Sequence, residues 1–252
     1  MYRESDVVYR YDGSFEGFLC CVFESISQKE IPFDILPWDF AATTLFSEKD
    51  IPTEIAKATR VKSSFSKKLG KAAPTCIAHA FLSCHPQKEL LLLRFLILGY
   101  AKGPAVLSMA GHPDVAPVLA MEKQVSSEAH QFTGFLRFCD YGEFLGSTIS
   151  PKNYVLPLLR LHFCQRYPSE NFLIYDQTHN AVLLYFNGVS EYLILDKPPV
   201  FPAVSAEEQA YQTMWKQFYQ TISISARENP RCRQTHCPKR YWVNMTELAD
   251  ER

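Results

Sequence analysis

The sequence lacks an excess of either charge. Lys and Arg total 26 against 27 Asp and Glu, for a formal net charge of −1. Any affinity for a polyanion must therefore come from local patches, and a histone-like protein that binds through its overall field is excluded. The sequence also lacks an unbroken apolar run of the roughly 20 residues that a membrane span needs. Its longest such run, residues 89–101, is interrupted by Arg94 and reads as a buried helix. The N-terminus, Met1 to Asp6, lacks the charged-then-apolar pattern of a secretion signal, which removes the main reason to expect an oxidising compartment. The expectation is a cytoplasmic protein without membrane contact. No Gly-x4-Gly-Lys-Ser/Thr loop and no Gly-x-Gly-x2-Gly fingerprint is present, which disfavours nucleotide-driven motors and dinucleotide enzymes. The Gly-x-Ser-x-Gly elbow is missing too.

Cysteine is present but unorganised. Cys20, Cys21, Cys76, Cys84, Cys139, Cys164, Cys232 and Cys237 are scattered, and an even count does not make a disulfide framework in a chain this long. Cys232, His236 and Cys237 stand close together, yet a structural zinc site would want a second ligand pair, which is missing. The expectation is no metal and no cofactor.

What is there is ample material for a core: 47% hydrophobic and 13% aromatic residues, enough for one large domain or two modest ones. Residues 7–11 alternate into Asp12-Gly13, a turn dipeptide, and Ser14 is placed to cap a helix carrying Phe15, Phe18, Leu19, Val22, Phe23 and Ile26 at helical spacing. Residues 34–50 read as irregular, with one short strand at most. Thr53 is a plausible cap for a helix reaching Gly70, and segments 73–83, 87–102 and 113–130 predict three more helices. The polar side of the 53–70 helix is basic, with Arg60, Lys62, Lys67, Lys68 and Lys71 uninterrupted by acid; it is either a solvated face or a phosphate-tracking one.

At Phe132 the period changes to two, and segments 132–139 and 143–149 flank Asp140-Tyr141-Gly142, a hairpin signal. Helical spacing returns over 151–166, followed by strands at 172–176, 181–186 and 191–195. That order argues for an antiparallel sheet with a helix on one face. Residues 198–202 form a stiff Pro-rich connector, 206–223 the last long helix, and 227–242 a basic tail. The fold class read from this pattern is α+β: a helical half over about 40–130, an antiparallel sheet half over about 131–200 with a covering helix, a C-terminal helix and a basic tail. The domain boundary falls at 130/131, giving 1–130 and 131–252, with one compact domain overall as the alternative.

The tail carries the strongest functional signal. Arg227, Arg231, Arg233, Lys239 and Arg240 face a single acid, Glu228, and Tyr241 and Trp242 close the run. Cations can make charge-assisted contacts to phosphates while flat rings stack on bases. The competing reading has the two rings anchoring the tail to the core and Arg231 and Arg240 paired with acids.

Four motifs, in order, also carry a resemblance. Residues 11–19 (Tyr11 to Leu19), 130–138 (His130 to Phe138), 161–168 (Leu161 to Pro168), and Asn229-Pro230-Arg231 with residues 238–242 (Pro238 to Trp242) resemble one bacterial family described as DNA metabolism or DNA repair proteins. The likeness runs from about residue 6 to about residue 248. Its members carry a domain of unknown function. The resemblance implies association with a radical-SAM protein bearing helix-hairpin-helix elements, encoded alongside, and a related domain occurs fused to uracil-DNA glycosylase-like domains. This chain has no Cys-x3-Cys-x2-Cys for a radical-SAM cluster. Cys232 and Cys237 depart from the family pattern, which more often has an aliphatic residue or methionine there.

Other candidates are placed by spacing. Arg137, alternating in the expected strand, is either an anion contact or a buried ion pair with Asp176. His162 and Arg166, four apart on one helical face, suit a general acid and a phosphate clamp, or ordinary surface roles. Asp176 and His179 suit a carboxylate–imidazole pair or a plain turn. The resulting expectation is a DNA-binding accessory factor in bacterial DNA repair whose radical-SAM partner carries the chemistry. Its rivals are an enzyme on damaged DNA, glycosylase- or nuclease-like, using His130, His162 or Asp176, and an interaction scaffold that never touches DNA.

Overall fold

The computed structural model describes residues 2–40 and 45–249. The chain divides into two compact units, Met1–Val125 and Ser126–Arg252.

The first unit opens with β1 (Arg3–Glu4), β2 (Val7–Tyr11), α1 (Phe15–Gln28), β3 (Glu30–Ile31), β4 (Asp34–Pro37) and β5 (Ser47–Asp50). β2 is the middle strand of a parallel sheet in the order β4-β2-β5. Val8, Tyr9, Arg10 and Tyr11 are all buried, as expected for a strand covered on both faces. The passage β2–α1–β4 is a strand–helix–strand unit, because parallel neighbours need a crossover rather than a tight turn. Residues 34–50, expected to be irregular, thus supply two strands flanking β2; positions 41–44 of that stretch lie outside the described residues.

Local chemistry accounts for the start of α1. Ser14 Oγ accepts from the Gly17 amide at 2.9 Å, and Asp12 Oδ1 accepts from the Ser14 amide at 2.9 Å. Thr53, expected to cap the next helix, instead donates its hydroxyl to Asp12 Oδ2 at 2.7 Å, and Glu54 takes the cap position without a side-chain bond. Position 17 has no room for a methyl group: a Cβ there would collide with Asp12 Oδ1 and lie 2.8 Å from Thr53 Oγ1. Gly17→Ala is expected to cost about 1–3 kcal/mol through overpacking, read as a lower urea midpoint with unchanged slope. A midpoint equal to the parent's would show that the Asp12 cluster yields freely.

Four helices follow: α2 (Ile55–Ser64), running on through a π-helical turn Phe65–Leu69, then α3 (Ala73–Phe81), α4 (Lys88–Lys102) with a 3-10 extension Gly103–Ser108, and α5 (Ala116–Phe135). Residues 88–108 are long and apolar enough to cross a membrane by length and composition alone. Here Leu92, Leu93, Phe95 and Leu96 are buried in the core of the first unit, with Phe18, Phe65 and Ile77. The basic cluster of α2 and the turn after it is exposed, with Arg60 over Phe23, Lys62 over Phe15 and Lys68 over Tyr100 at 5.3–5.8 Å. Their alkyl stems cover apolar rings while the charges reach water.

The second unit contains β6 (Cys139–Asp140), β7 (Leu145–Ile149), α6 (Leu156–Arg166), β8 (Phe172–Asp176), β9 (Ala181–Phe186) and β10 (Val189–Ile194). It continues with α7 (Ala206–Ile222), α8 (Pro230–His236) and α9 (Lys239–Trp242). The sheet order is β10-β9-β8-β7-β6. Three junctions are antiparallel, but β7 and β8 run parallel, which corrects the all-antiparallel expectation. α6 returns the chain to the starting end of the sheet, and its Leu156, Leu159 and Phe163 share a core with Phe172, Ile174 and Leu183.

A second correction concerns residues 132–138. They were expected to form a strand, but α5 continues to Phe135 and only Cys139–Asp140 pairs with β7. Phe132, Phe135 and Leu136 also fit helical spacing, and the ring of Tyr241 packs against Phe132 and Phe135 with centroids 5.0 and 5.3 Å away. A partner distant in sequence thus favours the helical alternative. The class is α+β, with helix exceeding strand, 49% to 17%, and the strands gathered into sheets within each unit.

Candidate nucleic-acid interface

Ser205 caps α7 by accepting from the Glu208 amide at 3.1 Å, and Glu207 and Glu208 complement the helix dipole in its first turn. Tyr211, Met214, Trp215, Phe218 and Ile222 then recur at intervals that align them on one face. Such a stripe normally marks the side turned to a core, yet no residue of α7 is buried. Tyr211, Trp215 and Phe218 remain 57%, 41% and 51% exposed.

This open face forms one wall of a groove of about 960 Å³ whose other walls include Arg137, His162 and Arg166. The structure therefore brings Arg137 together with the His162 and Arg166 pair of α6, 25 and 29 positions further along the chain. Arg166 is exposed at the C-terminal end of α6, and the His162 ring stands edge-on to Phe163 at 4.8 Å. Glu208 also lines the groove and accepts from Gln212 at 2.8 Å.

Of the two readings of Arg137, the structure shows an ion pair, but with Glu247 in place of Asp176. Placed just beyond α5 instead of in a strand, Arg137 pairs with Glu247 through Nη2 at 2.6 Å, and Nη1 donates to the Gly134 carbonyl at 2.8 Å. Glu247 also accepts from Trp215 Nε1 at 3.0 Å, and the Arg137 guanidinium lies 5.9 Å over that indole. Burial alone would raise the Glu247 carboxyl, but hydrogen bonds from Arg137, its backbone and Trp215 outweigh it and hold the group below the usual range. Trp215 is thereby fixed in orientation while its ring stays partly open.

Asp176, fully buried, binds locally. Its Oδ1 accepts from the Thr178 and His179 amides, and His179 Nδ1 lies 2.6 Å from its Oδ2. This is a carboxylate orienting an imidazole at the turn between β8 and β9. His130 is exposed on α5 and does not line the groove.

The tail is divided in its roles. Tyr241 and Trp242, expected to stack on bases, are each 3% exposed. The Tyr241 hydroxyl donates to Gln131 Oε1 at 2.6 Å, and Trp242 Nε1 donates to the Cys237 carbonyl at 2.8 Å. Both rings gain apolar burial while their polar ends are satisfied, so they are closed to a ligand. Arg240 is committed as well, pairing with buried Glu128 at 3.3 Å and lying over Tyr241 at 4.7 Å. Arg233 lies over Trp242 at 4.7 Å. Arg227, Arg231 and Lys239 are exposed and make no ion pair among the described residues. Arg227 and Arg233 line a hollow of about 780 Å³ with Tyr219, Ile224 and Asn229. Cys237 turns its thiol to Met245 Sδ at 3.7 Å, and among the described residues no three His, Cys, Asp or Glu side chains converge to hold a metal.

The aromatic wall of α7 is the component that sequence reasoning missed. Its i, i+4, i+7 spacing is visible in the sequence, but that spacing alone reads as a buried face. Fold and site together define an α+β protein with an open, aromatic and cationic groove in its second unit. Residues 86–247 match DUF4130, a domain of unknown function, and the chain belongs to that family. The match contains every residue named here as lining the groove and the hollow. No curated protein and no solved structure matches the chain.

Proposed function

We propose that this chain is a nucleic-acid-binding accessory protein of DNA metabolism or repair, acting with a radical-SAM, helix-hairpin-helix protein that supplies the chemistry. The observation that carries the reading is the set of exposed cations Arg227, Arg231 and Lys239, none in an ion pair among the described residues, in the same unit as the aromatic groove. Such cations release condensed counterions when they meet phosphates, which is the main source of sequence-independent affinity. The partner is what the motif resemblance at residues 11–19, 130–138, 161–168 and 229–231 with 238–242 implies.

The test is the salt dependence of DNA affinity. Replacing Arg227, Arg231 and Lys239 together with alanine is expected to flatten the plot of log affinity against log salt by about 2–3 units. A slope equal to the parent's would remove the tail from the interface.

One observation favours a second reading, an enzyme acting on damaged DNA: buried Asp176 holds His179 as a carboxylate holds a general base. Under that reading, purified protein converts uracil-containing, alkylated or ultraviolet-damaged DNA, and His179→Ala abolishes the product. Absence of product on all three substrates would leave the accessory reading in place.

A further inference from the structure

We infer that the groove along α7 is a binding site for single-stranded nucleic acid, with unpaired bases stacking on Tyr211, Trp215 and Phe218 and Arg166 meeting the backbone. This rests on the nucleic-acid reading above and adds both the strandedness and the place.

Three features point to that occupant. The first is accessibility. All three rings line the groove and keep between 41% and 57% of their surface open. An aromatic ring can stack only on a base whose face is free, which paired bases inside a duplex do not offer.

The second feature is preorganisation. Trp215 Nε1 is held by Glu247 at 3.0 Å, and the ring is backed by the Arg137 guanidinium at 5.9 Å. Phe218 follows with its centroid 5.7 Å from the indole at an interplanar angle of 31°. A platform held in place before its ligand arrives loses less entropy on binding.

The third feature is charge and length. Arg166 lines the groove together with the aromatic face of α7, and Glu208, an acid in the first turn of that helix, is engaged by Gln212, so a polyanion finds the Arg166 guanidinium beside apolar rings. An apolar helix from a protein partner would leave that guanidinium unmatched. From Tyr211 to Phe218 the helix rises about 10 Å, room for on the order of three bases at the single-strand spacing of about 3.4 Å. The platform and the tail cations follow one another in the chain, with Arg227 between α7 and α8 and Arg231 in the first turn of α8.

The experiment measures fluorescence anisotropy of a labelled 12-nucleotide single strand and of the same sequence as a duplex. The proteins are the full chain, Tyr211→Ala, Phe218→Ala and the triple tail variant. Tyr211 and Phe218 are chosen over Trp215 because neither supports Glu247, and unfolding midpoints equal to the parent's confirm that the variants fold. The expected result is tighter binding of the single strand than of the duplex. Each ring variant is expected to weaken single-strand binding by about 5- to 150-fold, the loss of one base stack, with duplex binding unchanged.

Equal affinity for both forms, or ring variants that bind the single strand like the parent while the tail variant weakens it, would overturn the groove site and leave the broader reading standing. No binding of either form would overturn both. Sedimentation of the parent as a dimer that Tyr211→Ala converts to monomer would make the groove an interface between copies and overturn the proposal.

Discussion

Glu128→Ala is expected to lower the stability of the second unit by about 3–5 kcal/mol, the usual cost of removing one partner from a buried charged network. The Glu128 side chain is 2% exposed and accepts four contacts. Three come from residues 152 and 153: the Lys152 amide at 3.0 Å, the Asn153 amide at 2.8 Å and Asn153 Nδ2 at 2.7 Å. The fourth is Arg240 at 3.3 Å. Removing the carboxylate leaves the buried Asn153 amide and the part-buried Lys152 amide without this acceptor and removes one tie between the tail and α5, while the Tyr241–Gln131 bond remains. Arg240→Ala removes the pair from the other side, where the guanidinium is 38% exposed, and should cost only about 1 kcal/mol. Urea unfolding followed by tryptophan fluorescence suits the comparison, because Trp215 and Trp242 are two of the three tryptophans. Equal losses for the two variants would show that the amide contacts from residues 152 and 153 contribute little.

Glu247→Gln is expected to cost about 2 kcal/mol near neutral pH, through loss of the charge-assisted bond from Arg137 and weakening of the one from Trp215. The dependence on pH has a defined sign. The folded carboxyl titrates below its ordinary value, so the folded state binds its proton more weakly than the unfolded chain does. The stabilisation is complete above the unfolded value of about 4.3 and disappears as pH falls through the lower folded value. The parent should therefore lose stability faster than Glu247→Gln between about pH 5 and pH 3, and the gap between them should close. Parallel stability curves over that interval would show that the carboxyl is not held in its charged form. Because Glu247 also anchors Trp215, the indole emission of Glu247→Gln should shift toward that of a solvent-exposed ring.

Elements whose cause lies within a few residues were legible from the chain. The strand over residues 7–11, the Ser14 cap and the apolar stripe of α1 follow from alternation, hydroxyl chemistry and helical spacing, and each appears where expected. The same holds for α4 and for β8 and β9. Segment 132–138 was not legible, because Phe132, Phe135 and Leu136 satisfy both periods; Tyr241, more than a hundred residues onward, favours the helix.

The site divides in the same way. That residues 227–242 are basic and that His162 and Arg166 share a helical face can be read from residue type and spacing. Which cations stay available cannot, since Arg137 and Arg240 have partners, Glu247 and Glu128, 110 and 112 positions away. Burial of Tyr241 and Trp242 and exposure of Tyr211, Trp215 and Phe218 reverse what composition suggests. An aromatic side chain has the same affinity for a core wherever it stands, and available space in the folded chain settles which rings enter. Capping and periodicity act over one or two turns and are written into neighbouring residues. Charge pairing and ring burial depend on distances that exist once sheet and helices have assembled, so they belong to the fold.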